Sequence, residues 1–562
     1  MSSIVSKLIA GRAYYYLVES ARVDGKPRIV SQRYLGSAEE VAARLSGSGT
    51  GEPDRSRHLA FGEVAAVLSV LRRLRVAEII DEVVGPRRSD ALASVGTYIS
   101  LVVANRIAAP CSKLAFEQWW AGTVGPRLTK LPASAVEHRR FWDAMEALDT
   151  EALREIECRI AAHAAKEFDL DLSGLVLDMT NFATFIDSGN EAAPIAKRGH
   201  AKQKRMDLRL VGLALIVTAD GAVPVVSHAY AGNRPDVTQF PCVLSELAER
   251  YKTVASGLER LTVVYDAGCN SAANQELIES SGLSFVGSLV VSQHPELLAV
   301  SRSRFSVVDE KRFPGLSAFE AEATALGAKR RVIVTHSDTF HSRQVRGFTQ
   351  TVSTAMRRLD ELARRLAGGK TTRSAQRVAA EVAEILAPRW LHRVIRTELT
   401  GDSPRDLRLS FALDAAARRR LEREIFGKRI LFTDRKDWAV AEVVAAYRSQ
   451  SIVESGFRQL KDVKVISFSP MFHWTEAKIR VHMFYCVLAL TVAHLMRRQA
   501  AAAGIDLSVR ELVSSLAGIQ ETVLLYEGER GRPRARRMLT EMDADQQRLY
   551  DLFGLATYAP TR

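Results

Sequence analysis

Cysteine is scarce: five in 562 residues, at positions 111, 158, 242, 269 and 486, with no Cys-x-x-Cys pair. That spacing excludes the common zinc modules and fits a reducing cytosol. Long apolar runs are also missing. The longest, Val481 to Met496, is too short to span a bilayer and contains His482 and His494, so it reads as a buried helix. Residues 1–12 lack the apolar stretch of a signal peptide. Together these absences predict a cytoplasmic protein. Acid is in deficit as well: 65 Asp and Glu face 78 Lys and Arg, a net charge of +13. A surplus of that size points to a polyanionic partner, nucleic acid before membrane.

What is present is a folded chain of several parts. Hydrophobic content of 47% with 25% charge is ordinary for a protein with a core. At roughly 150 residues per domain, the length suggests three or four units. Residues 1–45 predict a β-hairpin module turning at Asp24-Gly25, and 46–57 have the Gly/Ser composition of a flexible linker. From 58 to 168 the apolar spacing is helical, and the Trp119-Trp120 pair reads as helical core. This region is the candidate for recognising DNA ends.

The texture changes at residue 173. Ser173 to Asp178, Asp207 to Thr218, Ala222 to Ala231, Leu261 to Asp266 and Leu283 to Val291 read as strands, with helices near 236–251 and 272–281. The order β-β-β-α-β-α-β is that of an RNase H-like α/β domain, a mixed five-stranded sheet with helices. Its first part covers 169–294 and an insertion domain 295–435. A second part, 436–500, carries a further helix, and 501–562 form a helical basic tail with the run Arg530 to Arg537.

In such a sheet the first and fourth strands are neighbours, and the helix after the fifth crosses above their ends. Asp178 is expected to end the first strand and Asp266 the fourth. Tyr447, Glu454 and Lys461 are spaced by seven, nearly two helical turns, and so share one face with Gln450 and Arg458. Three carboxylates, Asp178, Asp266 and Glu454, thereby converge. Oxygen ligands with neither His nor Cys suit two magnesium ions ~3.5–4 Å apart rather than zinc.

These residues carry a resemblance. The run Tyr447-x6-Glu454-x6-Lys461 resembles the Tyr-x2-Arg-x3-Glu-x6-Lys signature of bacterial insertion-sequence DDE transposases of the IS-four superfamily. Leu177-Asp178-Met-Thr180 and Val264-Tyr-Asp266-Ala-Gly268 are similar to the group's first and second Asp segments. Gly199-His-Ala-Lys202, Gly232-Asn233-x2-Asp236 and Pro470-Met-Phe-His-Trp474 also resemble its segments. One departure stands out: the signature arginine falls at Gln450.

The resemblance implies a transposase that cleaves DNA at the element's ends and joins the 3′-hydroxyl to target DNA. It implies Asp178, Asp266 and Glu454 as ligands of Mg²⁺, with Mn²⁺ as a possible substitute. Tyr447, Arg448, Arg458 and Lys461 are then the phosphate-positioning residues. Lys197, Arg198, Lys202, Lys204 and Arg205 are candidate contacts to the DNA backbone. The expected partners are double-stranded DNA, as terminal inverted repeats and target, and further copies of the chain in a synaptic dimer or larger complex. A nucleoid-associated bacterial setting follows from the same resemblance. A catalytically inactive DNA-binding derivative and a nuclease without strand transfer remain the alternatives.

Two other motifs are set aside. Gly368-Gly-Lys370-Thr lacks the first glycine of a phosphate loop, which would fall at Arg364. His336 and His341 lack a ligand set and read as surface histidines.

Overall fold

The computed structural model describes residues 2–9, 11–23, 26–46, 52–86, 91–199, 207–254, 261–369, 372–526 and 534–561. They form two units.

The first comprises Met1–Ala66, Trp120–Lys130 and Ser514–Arg562. Its N-terminal part is a three-stranded antiparallel sheet of Ser2–Ile9, Arg12–Val23 and Lys26–Ser37, one strand more than the expected hairpin. A helix, Ala38–Ser46, follows. The Asp24-Gly25 turn and residues 47–51 lie outside the described residues. A second sheet corrects the expectation of an all-helical tail: Gln520–Tyr526 pairs with Arg534–Leu539 on one edge and with Arg55–Ala60 on the other. Buried Glu521 makes this sheet possible for so basic a segment, because Arg127 and Arg537 both bond to its carboxylate. Of the Arg530–Arg537 run, residues 530–533 lie outside the described residues.

The second unit, Val67–Trp119 with Leu131–Val513, holds a large mixed sheet. Its principal strands are β1 (Gly174–Thr184), β2 (Arg209–Thr218), β3 (Pro224–Ala231), β4 (Thr262–Tyr265), β5 (Ser284–Leu289), β6 (Leu316–Ala325), β7 (Ala328–Ser337) and β8 (Lys428–Thr433). Across the sheet the order is β6-β7-β8-β5-β4-β1-β2, with β3 also on β2. β1, β4 and β5 run parallel to one another; the other pairings are antiparallel. β2 and β5 are buried along their whole length, as the near-continuous apolar sequence of a strand covered on both faces requires.

Two expectations are corrected here. The sheet does not stop at five strands, and residues 295–435 are not wholly separate from it. β6, β7 and β8 come from that interval and continue the sheet from the outer edge of β5. Left unpaired, that edge would expose a ladder of N–H and C=O groups beside apolar Phe285 and Val286. Asp178 also does not end its strand. The parallel partner β4 runs out, but antiparallel β2 carries β1 on to Thr184.

The helices that matter are α1 (Val95–Ala108), α2 (Thr150–Glu167), α3 (Asp236–Val254), α4 (Asp338–Ala367), α5 (Val440–Arg448), α6 (Gln450–Lys461) and α7 (Glu476–Ala502). α7 is the one helix among the described residues long and apolar enough to cross a membrane, and 94% of that apolar window is buried. It packs on α1 and β3. Its His482 and His494 are both buried.

His494 Nδ1 donates to Ala222 O (2.7 Å), its Nε2 lies 3.0 Å from the Gln459 side-chain amide, and burial pushes its pKa down to about 4. It therefore stays neutral in the fold between about pH 4 and 6.5, whereas the unfolded chain's histidine takes up a proton there. Stability must fall as pH drops through that window. From pH 7 to 5, urea denaturation of the wild type should lose about 2 kcal/mol more than that of His494→Gln. Equal losses would show that His494 does not titrate this way.

His336 is a correction of a different kind. It is 2% exposed, faces Arg302 at 3.0 Å and lies 5.5 Å ring to ring from His341. Burial and the Arg302 charge lower its pKa to about 4. His336, one residue before the end of β7, is packed against His341 of α4 and Arg302 and is flanked within the sheet by Lys428 of β8.

Candidate active site

The parallel register sets the geometry. Val176 of β1 lies opposite Val264 of β4. Two residues further along lie Asp178, still within β1, and Asp266, just past the end of β4; the register continued with period-two alternation brings the two to the same level and face. Asp266 is still extended, with φ −90° and ψ 163°, although the strand has ended. Its Oδ1 accepts from Ala267 N (2.7 Å), Ser288 Oγ (3.1 Å) and Tyr447 Oη (3.3 Å). Among the described residues Oδ2 receives no hydrogen bond. Asp178 is half-buried, and its Oδ1 accepts from Met179 N at 2.8 Å. Below it, Tyr230 reaches Thr180 O (3.4 Å) and Asp236 Oδ1 (3.3 Å). Burial, then the charges of Asp236 and Asp178, raise the Tyr230 pKa, so it remains a proton donor. The ring lies flat over Gly212, where a Cβ would sit 2.2 Å from it.

The spacing of seven does not lie on one helix. The ladder breaks at Ser449, whose amide is shared between Ala445 O and Ala446 O, each at 3.2 Å. Its hydroxyl also bonds back to Ala446 O, the local competition by which serine bends helices. Tyr447 thus belongs to α5, which packs on β4 and β5, and Glu454 to α6, which packs on β1.

The two helices deliver different parts. Tyr447 is buried and orients Asp266, while Arg429 Nη1 donates to its hydroxyl at 3.4 Å. Burial and then Asp266 raise the Tyr447 pKa and keep it a donor. On α6, Lys461 Nζ donates to Thr180 Oγ1 at 2.6 Å, two residues beyond Asp178. Glu454 is exposed, with no hydrogen bond or ion pair among the described residues, and so is Arg458. Arg448 is exposed with its guanidinium 4.6 Å from the Phe313 ring. Gln450 is 9% exposed. Lys197 and Arg198 form a short exposed strand on β2. Lys202, Lys204 and Arg205 lie outside the described residues.

The donor chemistry fits a hard divalent cation: two aligned carboxylates on adjacent strands, one with an open oxygen, and a third unpaired carboxylate on the helix laid over β1. Among the described residues, however, no three His, Cys, Asp or Glu side chains approach closely enough to enclose an ion. The structure joins Tyr447 to Asp266 and Lys461 to Thr180, two residues past Asp178, and gives Glu454 no such bond among the described residues.

Two residues of the site escape the sequence reading: Ser288 and Arg429, which touch Asp266 and Tyr447. Thr180, which Lys461 touches, enters that reading only as part of the Asp178 segment. Ser288 lies on β5 beside Asp266, so the register was its only signal. Arg429 is the second residue of a strand inside the interval taken for an insertion. Tyr447→Phe tests this support: it should lower divalent-metal affinity, or any metal-dependent rate, about 10- to 100-fold with the fold unchanged. A change under twofold in isothermal titration with Mn²⁺ would remove Tyr447 from that role.

Residues 170–491 match the family described as "Transposase DDE domain". That span includes both aspartates, Tyr447, Glu454 and Lys461. No curated protein matches the sequence. Among solved structures, the chain is similar to the piggyBac transposase in a synaptic complex with hairpin DNA, seen by cryo-electron microscopy. That likeness is 10% identical with a TM-score of 0.37, covering 81% of this chain and 79% of the other.

Proposed function

The chain belongs to the transposase DDE-domain family, and from that premise we propose that it cuts DNA at the ends of an insertion sequence and joins the freed 3′-hydroxyls to target DNA. The observation that carries the reading is the parallel register that pairs Val176 with Val264, two residues before Asp178 and Asp266, with the Glu454 helix pinned across β1 by Lys461 and Thr180. The order β5-β4-β1-β2-β3 within the larger sheet supports an RNase H-like core. The segments around Tyr447, Glu454 and Lys461 support the IS-four subgroup.

DDE transposases generally use divalent metal ions. Asp178, Asp266 and Glu454 would hold magnesium here, which when bound supplies an activated oxygen nucleophile and charge stabilisation at the leaving oxygen. The chain's own groups do the rest. Tyr447 and Ser288 fix the Asp266 carboxylate so that one oxygen stays open. Lys461, held at Thr180, places a cation beside Asp178, where a phosphodiester would bring negative charge. The excess of +13 supports binding to the polyanion itself. Acting on two ends at once requires at least two copies of the chain on DNA.

The test uses the DNA flanking this gene, as intact and as pre-cut ends, with Mg²⁺ and a supercoiled target. Cleavage of intact ends with joining of pre-cut ends is the expected result. Hydrolysis without joining would make the protein a nuclease. Binding with neither product would make it a non-catalytic derivative.

A further inference from the structure

A cleft of about 440 Å³ lies between α5 and α6 on one side and β7, β8 and the start of α4 on the other. Arg343, Arg429 and Arg448 line it, together with Gln450 and Glu454. None of the three arginines makes an ion pair among the described residues. This sets them apart from their neighbours: Arg302, Arg330, Arg331 and Arg418 are each paired with a carboxylate. Partial burial and then the Arg429 charge lower the Arg448 pKa, consistent with two guanidiniums lining one cleft. Gln450 adds a second, independent observation. It is 9% exposed, and its amide Nε2 has no hydrogen-bond partner among the described residues. A buried, unsatisfied donor costs roughly 1–3 kcal/mol, so this amide favours an acceptor in the cleft.

Arg429 links the cleft to the carboxylates. Its guanidinium lies 4.9 Å from the Phe340 ring and 5.7 Å from the Tyr447 ring, and it donates to the Tyr447 hydroxyl, which bonds to Asp266. It also lines the adjoining hollow of about 270 Å³ that contains Asp266. An anion in the cleft would therefore lie next to the metal-binding face and meet three guanidiniums and an amide N–H. A guanidinium fork matches the oxygens of a phosphate, and stacking on two rings pre-organises it.

We propose that this cleft receives a phosphodiester of the DNA strand adjoining the scissile bond, with Arg429 as its main positioning residue. The inference rests on the transposase reading and deepens it. The cation comes from β8, the strand that returns from the helical excursion, while position 450 of the α6 helix contributes a neutral donor. The excursion between β7 and β8 thereby has a purpose in the site: it ends by bringing a charge to it.

The test measures binding of the full chain to a 40-base-pair duplex of the DNA flanking the gene, from 50 to 200 mM salt. Losing one phosphate contact lowers the slope of log K against log salt by about 0.9, so wild-type binding should weaken about three- to fourfold more than Arg429→Gln over that range. Arg429→Lys should keep the wild-type slope, which a purely structural role for the ring-stacked guanidinium would not allow. If Arg429→Gln does not fold, the double variant Arg343→Gln/Arg448→Gln replaces it, with a slope lower by about 1.8. A wild-type slope in the folded variant overturns the inference. Cleavage by wild type and Asp178→Asn, run in parallel, reports on the transposase reading separately. Asp178-dependent cleavage with unchanged slopes would sink the cleft alone.

Discussion

Asp266→Asn should reduce metal-dependent DNA cleavage on the order of 10³-fold while the thermal midpoint stays where it is. The substitution preserves shape, and an asparagine oxygen still accepts from Ala267 N, Ser288 and Tyr447. What disappears is the charge and one of two oxygens, and the open oxygen is the one that would ligate a cation. Asp178→Asn should behave likewise, because it follows Val176 by two residues as Asp266 follows the paired Val264. Glu454→Gln separates two cases. A comparable loss would mean that α6 closes on the aspartates when metal and DNA are bound; a loss under tenfold would leave the site with two carboxylates. Single-turnover cleavage with circular dichroism on the same samples measures all three. Full activity in both aspartate variants would end the assignment.

Arg106→Met should destabilise the protein by about 3 kcal/mol. Arg106 is 1% exposed in α1 and donates to Ser467 O (3.0 Å), Ser469 O (3.1 Å) and Cys111 O (2.6 Å). Among the described residues it has no carboxylate partner, so three carbonyl dipoles are what offset its desolvation. Methionine fills much of the space but leaves those carbonyls unsatisfied, each worth about 1–3 kcal/mol; release of the buried charge returns part of that. Two of the three carbonyls belong to the segment joining α6 to α7. The damage should thus reach the helix carrying Glu454 and Lys461, which amide exchange on residues 450–470 would detect. Nearby, Lys113 is also buried, and burial with the Arg106 charge lowers its pKa well below the usual range. Removing Arg106 should let that pKa rise. A loss below about 1 kcal/mol in urea would show that water replaces the guanidinium.

The strands of the sheet were readable because their residues announce their surroundings. Leu210 to Thr218 is apolar on both alternations, and only a strand covered on both faces is written that way. Asp178 and Asp266 stood out for the same reason, as charges interrupting apolar runs. The Tyr447–Lys461 spacing was legible as helical but not as broken. A hydroxyl that bonds to its own backbone competes with the helix by small energies that only the packed context decides. The insertion was visible as an interruption, yet the membership of β6, β7 and β8 in the sheet was not. Strand pairing across a hundred intervening residues leaves no local mark.

By itself, then, the sequence determined the composition of the site: which acids interrupt the strands, which helix carries a glutamate and a lysine, and the positive charge that suits DNA. Local chemistry specifies those things residue by residue. The tertiary structure alone decided the partnerships. It set Asp178 level with Asp266, turned Tyr447 toward a carboxylate, sank His336 and Gln450 from solvent, and carried Arg429 from the end of a long excursion to the edge of the site. Each depends on a register or on a distant strand's return, and neither is encoded within the reach of neighbouring residues.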